Sequence, residues 1–439
     1  MFILDTALTR RAMDQNPIRV GMIGAGMMAQ GIVLQAMSGN SGIRIAAIAN
    51  RTLHKAWQAY AEAGEHDVVA CRTSYDLSCA IRRRQPAITP DPVYLAEAEE
   101  IDVVLDVTGV VEDALPPVLA AIAHRKPVVL MNAALDATLG PILKVKADRS
   151  GVVFTSVEGS QAGSIVSLYR HVRSIGITPV LCGRIAERHD PYRTPLTEAD
   201  SARVRGLRPS AATALVDGTN LALEQAAVAN ATGMRVARRG MRGPIVEPGT
   251  PIENAAALFA GEDLEEGPGI VDYVVGASPR RGSFVLGTTG DRRLRRYLDL
   301  YGMGEGPLHC FVRPHHLCHF EVPHTVGRAV LFAEAALAPA GAPVVEAVAA
   351  AKRNLRAGEQ LDDLGHFMTY GVAENAETAA SADLLPIGIA PGCRLKRDLN
   401  RDDILTYDDV ELPAGRLCDR LRQEQAEYFG TPAGRRIAL

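Results

Sequence analysis

Ile18-Arg-Val-Gly-Met-Ile-Gly-Ala-Gly-Met-Met-Ala-Gln-Gly31 sets a short apolar run against closely spaced glycines and then a helical pattern. It reads as a strand over 18–23, a turn, and a helix over 24–37. Gly24 and Gly26 suit a tight turn that brings backbone N–H groups against a pyrophosphate, Met27 and Met28 open the helix, and small Ala29 lets helix and strand pack closely. A strand–helix corner with no ligand would look the same, so the neighbouring strands must decide. The next β-branched run, 43–49, ends at Asn50-Arg51-Thr52, where dinucleotide folds contact the adenosine ribose. An acid there would accept from a ribose 2′-hydroxyl, whereas Asn, Arg and Thr suit a 2′-phosphate, so the expected cofactor is NADP(H) rather than NAD. Apolar strands over 101–107 and 127–131 end in Asp106-Val-Thr108-Gly109 and Asn132, and 151–155 closes the unit. In doubly wound sheets ligands sit beyond the carboxyl ends of strands, so Thr108, Gly109 and Asn132 are expected to line the nicotinamide crevice. The fold class is α/β, a Rossmann doubly wound parallel sheet over 1–156.

The chain has 439 residues, more than one hydrophobic core usually serves. A net charge of −4 with interspersed signs gives no footprint for nucleic acid or an anionic membrane. Seven cysteines form no CxxC pair and leave an odd thiol, which favours a reducing compartment. The N-terminus lacks the basic-then-apolar order of a secretory signal, no apolar run is long enough to span a bilayer, and the expected location is cytoplasmic. Residues 2–16 read as an amphipathic helix, and Arg82-Arg83-Arg84 as a solvated helix face without an assigned role.

The glycine turn, the Asp-Val-Thr-Gly strand end and Asn132 together resemble the homoserine-dehydrogenase-like branch of dinucleotide-binding oxidoreductases. Asp217-Gly218, Glu224, Ala229-Asn-Ala-Thr-Gly233, Gly240-Met-Arg-Gly-Pro244, Val271-Asp-Tyr273, Arg313-Pro-His-His-Leu317 and Glu321-Val-Pro323 resemble, in the same order, the deoxyxylulose-phosphate-reductoisomerase-like (DRL) family. The resemblance implies a dinucleotide-binding domain, an α+β catalytic domain over 157–335 and a C-terminal domain over 343–439. It also implies, for at least some members, reduction of a phosphorylated keto-sugar with NADPH. The chain departs from the family at Ser160 and Ala162, where relatives carry an acid and a proline, and at Ala186 and Asn220, where they tend to carry lysines. Such chemistry normally wants a divalent metal held by carboxylates and a positioned acid, and this chain lacks some of those groups. The reaction is therefore not carried over with the fold.

Four residues remain as catalytic candidates. Glu224, in the helical pattern 221–230, is a proton donor amid small neighbours or a salt-bridged helix residue. Asp217 precedes a turn glycine and could equally cap a helix. In Cys310-Phe-Val-Arg-Pro-His-His-Leu-Cys-His319, Arg313 can hold a phosphate or carboxylate bidentately, and His316 can give the proton that accompanies hydride transfer. The same histidine-rich segment suggests zinc, but strand alternation gives no three- or four-ligand set, and no metal is assigned.

The run 336–343, rich in Ala, Gly and Pro, reads as a boundary linker. Beyond it, Lys352-Arg-Asn-Leu-Arg-Ala-Gly-Glu-Gln-Leu361 recurs as Lys396-Arg-Asp-Leu-Asn-Arg-Asp-Asp-Ile-Leu405, an offset of 396 − 352 = 44 residues. The echo implies a pseudo-symmetric β module and resembles the SAF domain, a small β-clip fold. The expected function is an NADPH-dependent oxidoreductase that moves hydride to or from a carbonyl carbon of a small anionic, sugar-derived substrate and acts as a homo-oligomer. The alternatives are a homoserine-dehydrogenase-like or biosynthetic-cluster reductase with a carboxylated substrate, and an NADP-binding protein without turnover.

Overall fold

The computed structural model describes residues 2–37, 42–259, 264 and 267–430. Residues 431–439 of the expected C-terminal domain lie outside these. The chain divides into two compact units, Met1–Ser160 with Leu317–Ala338, and Gln161–His316 with Pro339–Leu439.

The first unit is an α/β doubly wound sheet. Strands β1 (Ile18–Ile23) and β2 (Ile43–Ala49) fall on the residues expected. β3 (Val69–Ala70) and β4 (Ala87–Thr89) are short, and β5 (Val103–Asp106), β6 (Val128–Leu130) and β7 (Phe154–Ser156) are trimmed or shifted from the expected spans. Ile101 donates backward to Ala98 in a turn, Pro127 has no N–H for the ladder, and Asp102 holds the Arg19 guanidinium at 2.8 Å. Helix α1 (Phe2–Met13) stops short of residue 16, and α2 (Met27–Met37) begins at Met27 because Gly24 has φ +104° and belongs to the turn. The strands are parallel in the order β3-β4-β2-β1-β5-β6-β7. The chain reverses its direction across the sheet between β1 and β5, so the ligand crevice belongs at their carboxyl ends.

Segment 317–338 packs within this unit. Its helix Val322–Leu331 presents Arg328 to Glu158 at 3.0 Å and Thr325 Oγ1 to the Glu158 N–H at 2.9 Å. Leu337 bridges Ser156, and Thr155 Oγ1 accepts from both Ala336 and Leu337. The start of the expected linker is thus an added edge beside β7, because Thr155 offers its backbone a buried acceptor.

Helix α3 (Ala133–Ser150) buries Asp136, which accepts from Ser156 Oγ at 2.6 Å. Burial, only partly offset by that bond, pushes its carboxyl up to about 6. A raised carboxyl favours the fold while protonated, and that contribution is lost as pH rises from about 4 through 6.

The second unit carries a four-stranded sheet, β11-β10-β8-β9, built from β8 (Thr178–Ala186), β9 (Ile270–Val275), β10 (Gly282–Thr288) and β11 (Leu308–Arg313). Helix α4 (Gln161–Ser174) packs on β8 and β10. Helix α5 (Thr219–Thr232) is buried almost all round, against α4, β9 and the hairpin β12 (Val345–Ala351) with β13 (Thr369–Asn375). The 44-residue echo folds as a reciprocal pair. Leu355 and Leu399 exchange backbone hydrogen bonds of 2.9 and 3.0 Å, Asn354 Oδ1 accepts from Arg401 N, and Asp398 Oδ1 accepts from Ala357 N.

Asp136→Asn keeps an acceptor for Ser156 without a carboxylate to ionise. The variant is expected to match the native protein in stability at pH 4 and to exceed it by about 3 kcal/mol at pH 7 in denaturant titrations.

Candidate functional site

In the first unit the turn after β1 has the shape a pyrophosphate needs. A Cβ on Gly24 would stand 3.1 Å from the Val107 carbonyl oxygen, so only glycine lets the ends of β1 and β5 approach there. A Cβ on Gly26 would meet nothing within 4 Å, leaving open space over the N-terminus of α2, where Met27 is exposed and Met28 half-buried. Gly109, at φ +74°, also faces open space. Thr108 is fixed by its N–H on Asp106 Oδ1 at 3.0 Å. Asn132 is buried and fully engaged: Oδ1 caps α3 through Leu135 N–H, and Nδ2 donates to Asp106 Oδ2 at 2.8 Å and to the Val110 carbonyl at 3.0 Å. Burial is matched by bonds at both ends of its amide. Burial raises the Asp106 carboxyl, against the pull of Asn132 and Thr108.

Beyond β2, Asn50 Nδ2 donates to the Thr52 carbonyl at 2.7 Å, and the Thr52 side chain makes no capping bond. Arg51 is 87% exposed, with Asp113 3.4 Å away. That loose pair leaves most of the guanidinium available.

The second unit contains a cavity of about 500 Å³ whose lining includes Arg184, Arg188, Arg205, Arg281, Glu187, Glu224 and His316. Arg184 lies on β8, and its Nη1 is 2.5 Å from Glu224 Oε2 on α5, while its Nε is buried without a partner. Glu187 holds Arg281 at 3.0 Å and Arg205 at 3.7 Å, and Arg188 reaches the buried Glu198 at 2.7 Å. Gln161, also on the wall, is set by Nε2 bonds to the Gly282 carbonyl and Ser283 Oγ. The Arg281 fork holds the Glu187 carboxyl below its ordinary range. Burial raises Glu224 despite Arg184. Burial and the positive charges of Arg184, Arg281 and Arg313 push His316 down to about 4, so it is neutral near pH 7.

The structure therefore brings Glu224 and His316 together on one cavity. Arg313, at the end of β11, acts on His316 through its charge and is not on the cavity lining. Asp217 lies elsewhere in the unit, fully buried: Oδ1 accepts from Thr219 N–H at 2.9 Å and Oδ2 holds buried Lys352 at 2.8 Å. Sequence reasoning missed Arg184, Arg188, Arg205, Arg281, Glu187 and Gln161. Arg184, alone among uncharged residues in β8, was the available signal; Arg205 and Arg281 reach the cavity only through tertiary folding. Where relatives tend to carry lysine near residue 186, Ala186 is buried and Arg184 and Arg188 supply the cations. Residues 314–318 are not strand, so the alternation expected for the histidines does not apply: His309 is buried with Nδ1 3.3 Å from the Met303 carbonyl, and the His319 ring lies tilted by 35° against Phe320.

Residues 159–322 match the family model described as oxidoreductase DRL, catalytic domain. This stretch is similar to the catalytic domain of that family. No curated protein matches the chain. Among solved structures, the chain is similar to an NAD binding oxidoreductase from Klebsiella pneumoniae (18% identity, 40% of this chain and 45% of that chain, TM-score 0.29). It spans under half the length of that protein. It is also similar to a probable dehydrogenase from Thermotoga maritima (14%, 61% and 72%, 0.36). A third is 1-deoxy-D-xylulose 5-phosphate reductoisomerase from Zymomonas mobilis in complex with NADPH (13%, 73% and 82%, 0.37). Among the described residues no helix is long and apolar enough to cross a membrane.

Two binding experiments follow. An anion entering the cavity stabilises imidazolium at His316, so sulfate, which does not titrate in this range, is expected to bind more tightly as pH falls from 7 to 5, with proton uptake seen by calorimetry in two buffers. His316→Asn should flatten that slope. Glu187→Gln should tighten sulfate several-fold, because Arg205 and Arg281 lose their internal carboxylate.

Proposed function

We propose that the protein is an NADPH-dependent oxidoreductase that moves hydride to or from a carbonyl carbon of a small anionic, sugar-derived substrate. The observation that carries this reading is the cavity in which four arginines converge beside a raised carboxyl and a neutral histidine. Arginine forks match the paired oxygens of a phosphate or a carboxylate, and four of them against two lining glutamates leave positive charge for such a group.

The residues of the first unit fit the cofactor. The open face at Gly26, the approach of Gly24 to Val107 and the N-terminus of α2 would hold the pyrophosphate, and Arg51 with Thr52 the 2′-phosphate. When bound, the nicotinamide supplies the hydride.

The protein's own part is clamping and proton transfer. In the free protein Arg184 neutralises Glu224. A substrate anion that draws on Arg184, including its unpaired Nε, weakens that pairing, and the buried Glu224 carboxyl then rises further. A raised Glu224 carboxyl is the group placed to give a proton to a developing alkoxide oxygen. A bound anion offsets the arginine charges that hold His316 down, so its ring takes up a proton more readily and then adds a positive donor to the clamp. Acid and clamp are thus switched on by the substrate itself. Asp217, joined to Lys352, is assigned to holding the start of α5 and not to proton transfer.

Arg51→Asp is expected to raise the NADPH dissociation constant by tenfold or more while changing that for NADH by less than threefold, measured by nicotinamide fluorescence. Equal losses for both cofactors would contradict the 2′-phosphate assignment.

A further inference from the structure

Gln161 opens helix α4 and is only 4% exposed, yet it lines the arginine cavity. A glutamine so deeply buried must place both ends of its amide. The nitrogen end is engaged within the protein, giving one bond to the Gly282 carbonyl at 3.0 Å and one to Ser283 Oγ at 2.8 Å. A carbonyl oxygen only accepts, so the amide atom that faces Gly282 is the nitrogen, and turning the amide over would set two oxygens against each other. Its orientation is therefore fixed by the backbone of β10, whichever way the serine hydroxyls point. Ser283 is wholly buried and bonded in turn to Ser164 Oγ at 2.9 Å, which braces the anchor from α4 itself.

The oxygen end is different. Gln161 Oε1 has no hydrogen-bond partner among the described residues, and unlike Arg184 Nε it is not sealed from solvent. With Nε2 engaged, Oε1 is the polar atom that this side chain offers to the cavity. The sheet sets its neighbour there. In the β8–β10 ladder Ser283 stands opposite Arg184, and residues directly opposite send their side chains to the same face with Cβ atoms about 5 Å apart. The anchor of the amide and the stem of the guanidinium thus rise side by side. Of the other acceptors on the wall, the Glu224 carboxylate already holds Arg184, and that of Glu187 holds Arg205 and Arg281.

We infer that Gln161 is a specificity-determining residue, whose Oε1 accepts from a hydroxyl of the substrate close to the oxygens that Arg184 holds. The cavity then takes hydroxylated anions in preference to their deoxy counterparts. An anion oxygen against Oε1 would be repelled, and a ligand ammonium would be repelled by the four arginines, which leaves a neutral donor as the match. A preset acceptor of this kind discriminates because an analogue without the hydroxyl leaves it desolvated and unpaired. This inference deepens the proposed function and rests on its anion clamp, but not on hydride transfer.

Binding calorimetry on the full chain tests it with glycerol 3-phosphate against propyl phosphate and glycerate against propionate, pairs that share an anion and differ in hydroxyl groups. A further probe, 2,3-difluoropropyl phosphate, cannot donate and so separates acceptance by Gln161 from donation by an arginine. The hydroxylated member of at least one pair is expected to bind about tenfold or more tightly than the deoxy member, and the difluoro analogue to bind like propyl phosphate. Gln161→Met has neither amide end, and Gln161→Lys keeps a donor for the Gly282 carbonyl but has no acceptor. In both, the ratio within that pair is expected to fall below about threefold while sulfate still binds. A native ratio near one in both pairs would overturn the inference and leave the clamp standing, as would a difluoro analogue as tight as glycerol 3-phosphate or an unchanged ratio in a folded variant. If sulfate, propyl phosphate and propionate all fail to bind, the clamp is lost and the inference with it. The native series decides whether a hydroxyl donor is read even where neither variant folds.

Discussion

Burial of helix α5 on nearly all sides is the constraint from which the second unit follows. A helix so enclosed has no solvent to satisfy its polar side chains, so each must find a partner within the protein. Gln225 donates to the Asp272 carbonyl, and Asn230 accepts from the N–H groups of Val344 and Val345. Asp217 at its start pairs with Lys352, and Glu224 pairs with Arg184. Three of these four ties hold strands β9 and β12 or their flanking loops in place, while the fourth opens onto the cavity. Glu224 is the carboxylate of α5, and its partner Arg184 lines the same cavity. The same low-dielectric setting that requires the partner makes its exchange chemically consequential.

The first unit rests on a different constraint, the close approach of β1 and β5 at Gly24. The left-handed glycine and the neighbouring Val107 carbonyl bring two strand ends together where the sheet order reverses. Asn132 then locks the next two strand ends by bonding Asp106 and capping α3. These are local, backbone-driven features.

That difference explains what was legible in the sequence. β1 and β2 could be placed to the residue, because continuous apolar runs flanked by turn glycines leave few alternatives. The 44-residue echo was visible as a repeat and reappears as reciprocal hydrogen bonds. Glu224 could be read as acid or as ion-pair member, and it is a cavity-lining ion-pair member whose carboxyl is raised. Asp217 was not separable from a catalytic acid, since its partner Lys352 lies 135 residues away and nothing local announces it. Arg205 and Arg281 were invisible for the same reason: both reach Glu187 only through the fold, and exposed arginines in a sequence look alike. The two compact units divide within the run 336–343, between Ala338 and Pro339, but its alanine- and proline-rich composition does not reveal that Ala336 and Leu337 donate to Thr155 Oγ1.

The central claim is that the arginine-lined cavity of the second unit performs carbonyl chemistry with a nicotinamide hydride. Transfer of deuterium tests it most directly. The protein is incubated with NADPH deuterated at C4 and a panel of keto-sugar phosphates and keto-acids, and the products are read by mass spectrometry. The account predicts deuterium on a carbinol carbon of at least one anionic product, and at least a hundredfold less with Glu224→Gln. Tight NADPH binding with no label transferred to any anionic carbonyl would contradict it.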